Sequence, residues 1–126
     1  MRVLPKPTKL LIHFEGFEKL WAVKQSITIP RSAIVSVRYY RSYRPPADIV
    51  RLGGGNVPAR VTAGLFTADQ KRLFLCLKET HGKMRRTEDV LVIRTRDYVF
   101  DEVAISLKPA IAREVIGWWR NTSRPT

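Results

Sequence analysis

The chain contains a single cysteine, Cys76, among its 126 residues. No intrachain disulfide can form, so a disulfide-stapled scaffold is excluded and a reducing cytoplasm is the simplest compartment. Histidine is scarce as well, with only His13 and His81. Together with Cys76 they show no metal-ligand spacing, and neither a metal nor a cofactor is expected. Acids are in short supply, 11 Asp plus Glu against 23 Lys plus Arg. Long apolar runs are missing too, since none approaches the ~20 residues a membrane-crossing helix needs. Met1–Pro7 is interrupted by Pro5 and Lys6 and lacks the apolar region of a signal peptide. The expectation is a soluble cytoplasmic protein, at most peripheral at a membrane.

What is present is an ordinary folded-domain composition, 44% hydrophobic and 27% charged. The length suits one core and is too short for two. The unusual quantity is a net charge of +12. Such a surface attracts polyanions, whether nucleic acid, anionic headgroups or an acidic protein, although solubility alone is a competing explanation.

Periodicity supplies an architecture. Residues 1–7 read as an extended arm, because Pro5 and Pro7 push their predecessors toward extended conformations. Leu10, Ile12 and Phe14 alternate with Leu11, His13 and Glu15 in the first of seven expected strands. Gly16 ends it, and Phe17, Leu20 and Trp21 at helical spacing predict a short amphipathic helix between strands one and two. Ile27 and Ile29 mark the second strand, closed by Pro30. In the third, Val35, Val37 and Tyr39 share one face, which turns Arg38 and Tyr40 toward solvent. Residues 41–58 have no period, and Gly53-Gly54-Gly55 form a hinge into the fourth strand at Val61, Ala63 and Leu65.

Leu73, Leu75 and Leu77 form one face of the fifth strand, with Phe74 and Cys76 on the other. Val90–Thr95 is the sixth. Tyr98–Leu107 is the seventh, with a β-bulge expected near Asp101-Glu102. Pro109 opens a helix running to Arg120, whose apolar face carries Ile111, Val115 and Trp118, and Trp118 is expected to be mostly buried. Residues 121–126 are a polar tail.

The segments Gly16-Phe17-Glu18-Lys19-Leu20-Trp21-Ala22, Ile29-Pro30-Arg31-Ser32-Ala33-Ile34-Val35-Ser36-Val37 and Gly54…Pro58…Ala63-Gly64-Leu65-Phe66 resemble the bacterial pleckstrin-homology-like domains. The likeness spans about residues 8–120 and is carried by short, mostly structural motifs. It implies a mainly β domain, a seven-stranded bent antiparallel barrel capped by the C-terminal helix. It also implies a non-enzymatic module that binds something. Phosphoinositide-binding members of the wider class place basic residues between strands one and two. Here that connection carries the mixed charges Glu15, Glu18, Lys19 and Lys24, so the lipid-binding motif is absent.

No catalytic constellation emerges. The three glycines fit neither phosphate-loop pattern, and a strand rather than a helix follows them. Cys76 lies among leucines, where an inert thiol is the default. The carboxylate pairs Glu15/Glu18, Glu88/Asp89 and Asp101/Glu102 are not set in an apolar surrounding that separates acid from base. The basic signal is better localised. Between residues 31 and 60 every cation is an arginine, Asp48 is the only acid, and three tyrosines are interleaved. Arginine forks suit phosphate oxygens, and tyrosine can stack on bases or rest at a lipid interface. The candidate anion- or partner-binding residues are therefore Arg38, Tyr40, Arg41, Tyr43, Arg44 and Arg51. Lys83, Arg85 and Arg86 form a secondary basic cluster. Solvated loops on a basic protein are the plainer account of both clusters. A protein or peptide partner is the first expectation. Peripheral binding to anionic lipid and weak, sequence-nonspecific nucleic-acid binding are the alternatives.

Overall fold

The structure, a computed structural model, describes residues 2–13, 26–44, 50–53, 61–68, 70–78 and 87–122. Among them the chain is mainly β. β1 (Arg2–Pro5), β2 (Lys9–His13) and β3 (Ser26–Pro30) form a three-stranded antiparallel sheet in the order β1-β2-β3. A single 3-10 turn, Arg31–Ala33, leads into the second sheet. That sheet holds β4 (Ile34–Tyr43), β5 (Val50–Gly53), β6 (Val61–Ala68), β7 (Lys71–Lys78), β8 (Thr87–Thr95) and β9 (Glu102–Ser106). Its strand order is β4-β8-β9-β7-β6-β5, and the helix α1 (Pro109–Thr122) follows.

All seven strands expected from alternation are present, as β2, β3, β4, β6, β7, β8 and β9. β1 comes from the supposed arm. Arg2 to Pro5 pair with His13 to Leu10, and Lys6 N–H donates to Lys9 O at 2.8 Å to close the turn. Prolines at the end of an edge strand cost no ladder bond, which is why a segment with two of them still pairs.

The closed, all-antiparallel barrel is corrected. The described strands form two open sheets, and β9 inserts between β8 and β7. It runs antiparallel to β8 and parallel to β7, with Leu73 beside Glu102 and Cys76 beside Ile105. Alternation marks a strand and its faces but is silent on its neighbours.

Three local expectations also change. Residues 96–101 form a bend rather than the start of strand seven, entered through Asp97 at φ 57°. The ladder of β4 against β8 shifts between Ile34 and Ser36, so Val35 is extra, 46% exposed, and does not share a face with Val37. Trp118 is half-buried, and its indole N–H donates to Lys6 O at 2.8 Å, clasping the turn after β1. α1 itself continues past Arg120 to Thr122. The short helix expected near Phe17–Trp21, the glycine hinge beyond Gly53 and the Lys83, Arg85 and Arg86 cluster lie outside the described residues.

The core has two parts. In one, Leu10, Ile12, Ile27 and Ile29 of the first sheet join Ile34, Val37, Phe74, Cys76, Leu91, Ile93, Val103 and Ile105 of the second, together with Ala112 and Val115 of α1. In the other, Leu73, Leu75, Leu77, Val90, Val92 and Ala104 pack on the opposite face of the six-stranded sheet. β7, β8 and β9 are therefore buried on both faces, which explains the unbroken apolar runs in their sequences. Phe74 meets Phe100 from the bend, ring centroids 5.3 Å apart and tilted by 46°. Tyr98 holds the same bend against the first sheet by donating its hydroxyl to Thr28 O at 2.6 Å.

Candidate functional site

β4 carries most of the arginine and tyrosine signal and is a terminal strand of its sheet. β8 pairs with one side of it, and no described strand pairs with the other. Pairing after the bulge runs from Val37 opposite Ile93 to Tyr40 opposite Val90, skips Arg41 where Asp89 stands at φ 56°, and returns with Ser42 opposite Glu88 and Tyr43 opposite Thr87. Val37 and Tyr39 face the first core, while Tyr40 faces the second. By the same alternation Arg38 lies on the Tyr40 side of the strand. Arg38 and Arg41 are exposed, as is Arg44 just beyond the strand end. None of the three makes an ion pair among the described residues.

The tyrosines do not simply face solvent. Tyr40 is half-buried against the second apolar cluster, which corrects the expectation that residues opposite Val37 and Tyr39 are all outward. The expectation rested on a sheet with one buried face, whereas this sheet has two. Tyr43 turns to the same side, its ring centroid 6.0 Å from that of Tyr40. Burial, and then the Glu102 carboxylate, push the Tyr43 phenol well above its ordinary pKa. Glu102 in turn accepts from Arg94 Nε at 3.2 Å. These two tyrosines cap the second core and leave the arginines as the exposed chemistry of the edge.

On the other side of β4, the Tyr39 hydroxyl donates to Asp89 Oδ1. That hydrogen bond, with burial next, raises the Tyr39 pKa, and the Arg41 and Arg113 guanidinia act on the same hydroxyl in the opposite direction. Arg113 is exposed on α1, the element that packs closest to β4 after β8. Asp89 holds its place in the strand at φ 56°, a region aspartate tolerates far better than the β-branched residue that follows it. Its carbonyl accepts from Leu107 N–H at 3.0 Å. Arg41, Arg113, Tyr39 and Asp89 thus converge from two strands and the helix. Neither Asp89 nor Arg113 was a candidate on sequence grounds. No spacing rule links residues from β4, β8 and α1.

Arg51 lies on β5, the terminal strand at the far end of the sheet order from β4. The structure therefore groups Arg38, Tyr40, Arg41 and Tyr43 on one strand, with Arg44 just past its end, and places Arg51 on another. The carboxylates Asp101 and Glu102 have separate structural tasks. Asp101 Oδ2 accepts from Arg72 N–H at 2.8 Å, and Glu102 is held by Arg94. Cys76 is buried. Among the described residues no three His, Cys, Asp or Glu side chains gather as a metal site. No described helix is long and apolar enough to cross a membrane.

An unpaired edge bearing charged side chains is also how sheets avoid pairing with the wrong chain, and the bulge at Val35 adds to that protection. The same edge is a template for a partner whose side chains meet the charges. Set against family models, curated proteins and solved structures, the chain matches none, so the chemistry open to this edge follows from its own geometry alone.

Proposed function

We propose that the chain is a non-enzymatic interaction module that takes up an extended segment of a protein partner along the open side of β4. One observation carries this reading: β4 is a terminal strand whose outer side no described strand covers, and its exposed Arg38 and Arg41 make no ion pair among the described residues. An added strand has side chains that alternate between its two faces, so some of them stand beside the exposed arginines along this edge. Neither a bilayer surface nor a nucleic-acid backbone offers a peptide main chain to pair with a sheet edge. Main-chain hydrogen bonds supply the affinity, and the arginines supply preference among partners.

The test is selection of extended peptides from a displayed random library, followed by amide hydrogen exchange on the complex. Bound peptides are expected to slow exchange in alternate amides of Val37–Tyr43, those that face away from β8. Binders that protect another element, or no binders at all, overturn the proposal.

A further inference from the structure

Resting on the reading of β4 as a docking edge, we infer that Arg38, Arg41 and Arg44 form a charge filter along it. The filter turns away a second copy of this chain and admits an extended segment whose side chains are acidic. Arg38 and Arg41 are the only charged residues of β4, and Arg44 follows directly after its end. All three are exposed and recur at every third residue, a row about 20 Å long at ~3.3 Å per residue. None of them makes an ion pair among the described residues. The carboxylates of the neighbouring strands are placed elsewhere. On β8, Asp89 Oδ1 accepts from the Tyr39 hydroxyl, and Glu88 stands opposite Ser42. Glu102 of β9 accepts from Arg94 Nε at 3.2 Å. The row itself carries positive charge alone.

Without those charges β4 would be an adhesive edge. Its other residues are Ile34, Val35, Val37, three tyrosines and two serines, mostly the β-branched and aromatic types that pair readily at an open margin. The nearest strand of that kind is the β4 of another copy. An antiparallel pair centred on Arg41 sets Arg41 against its own counterpart and Arg38 against Arg44. Other registers still crowd the guanidinia of both copies along one short seam. Like charges directly opposite one another oppose pairing, and each copy brings a net charge of +12. A segment with acidic side chains meets the same row with opposite charge. Guanidinium forks then hold its carboxylates with charge-assisted hydrogen bonds. One set of side chains thus rejects the wrong strand and selects the right one.

The experiment uses three synthetic strand-forming peptides of alternating valine and threonine, with glutamate, glutamine or lysine at three positions spaced as the arginines are. Fluorescence anisotropy reads affinity, and sedimentation equilibrium with amide exchange reads self-pairing. The proteins are the full chain, the triple variant Arg38→Gln, Arg41→Gln, Arg44→Gln, the corresponding Arg→Lys triple, and the control Lys71→Gln, Arg72→Gln, Arg96→Gln. The control residues are exposed, lie off β4 and remove equal charge. The full chain is expected to keep its β4 edge unpaired at every concentration and to bind the glutamate peptide about tenfold tighter than the glutamine peptide. The Arg→Gln triple should lose that preference and associate with itself through β4, while the Arg→Lys triple and the control behave as the full chain does. Equal glutamate and glutamine affinity on the full chain, with β4 amides still protected, overturns the acid requirement and leaves the docking edge standing. An Arg→Gln triple that stays unpaired up to its solubility limit overturns the exclusion of a second copy. No peptide binding and no self-pairing by any variant overturns the filter and the docking edge together. Losses from the control as large as those from the Arg→Gln triple show a diffuse field and overturn the filter. Tighter binding of oligothymidylate or phosphatidylserine vesicles than of the glutamate peptide, abolished in the Arg→Gln triple, assigns the row to another polyanion and overturns the acidic-segment partner.

Discussion

Phe74 is the side chain on which the joining of the two sheets is best measured. It is fully buried on β7, with Leu65 across the antiparallel pair and Val103 across the parallel one. Truncation to alanine removes the ring from the first core and leaves a cavity where neighbouring strands cannot close in, which costs about 3–5 kcal/mol. Within that sum, the tilted contact with Phe100 contributes about 0.5–1.5 kcal/mol beyond burial. A domain of this size has about 5–15 kcal/mol in total, so Phe74→Ala should fold marginally and melt roughly 10–25 °C lower. Urea titration followed by tryptophan fluorescence measures the change, since Trp118 and Trp119 are half-buried against the same core. Phe74→Leu and Phe100→Leu, singly and together, isolate the ring–ring coupling. Val99→Thr, at a position 47% exposed, should change stability by less than about 0.5 kcal/mol. Loss of under about 1 kcal/mol in Phe74→Ala refutes the burial of that ring in the first core, and additive leucine variants refute its contact with Phe100.

Three further outcomes follow from buried groups. The phenols of Tyr39, Tyr43 and Tyr98 all have raised pKa values in the fold. The folded state therefore keeps protons that the unfolded state loses above about pH 10, the ordinary phenol value. Stability from this source is intact below that pH and falls as pH rises beyond it. Tyrosinate absorbance should rise later in native than in urea-unfolded protein, and coincident curves would contradict the burial. Thr87 is 1% exposed, and its Oγ1 has no hydrogen-bond partner among the described residues. Thr87→Val, which removes an unsatisfied buried hydroxyl without changing shape, should be neutral or stabilising by about 1 kcal/mol in the same urea titration, whereas a clear loss would reveal a partner for that oxygen. The Cys76 thiol, 1% exposed, should react with a soluble disulfide reagent only as fast as the chain opens, so that Phe74→Ala accelerates labelling.

Much of the strand content was legible because period-two alternation is a local property. Leu73, Leu75 and Leu77 against Phe74 and Cys76 mark both faces of β7 directly, and both prove to be core. The parallel pairing of β7 with β9 was not legible, because no local signal names a strand's neighbours. Val35 was placed on the wrong side by one residue, since a bulge shifts every earlier position to the opposite face. The arginines of β4 were legible as a charge cluster, but Arg51 was grouped with them by proximity in the chain alone. Arg113 and Asp89 could not be found from the sequence, because what joins them to Arg41 is the docking of α1 beside β4 and the cross-strand reach of Tyr39.

The late arrival of β9 has a consequence for synthesis. A ribosome that has delivered the chain only as far as Asp101 has produced β7 and β8 but not the strand that lies between them. Until Glu102–Ser106 follows, each of those strands has an open inner margin lined by apolar side chains, the template on which nascent chains misassociate. Slotting in β9 seals both margins at once, and α1, next in the chain, can then settle on the completed sheet. Emergence of β9, rather than growth of the hundred or so residues before it, is then the step at which this sheet becomes safe from its neighbours, and truncations short of β9 should accumulate as aggregate instead of as a smaller soluble domain.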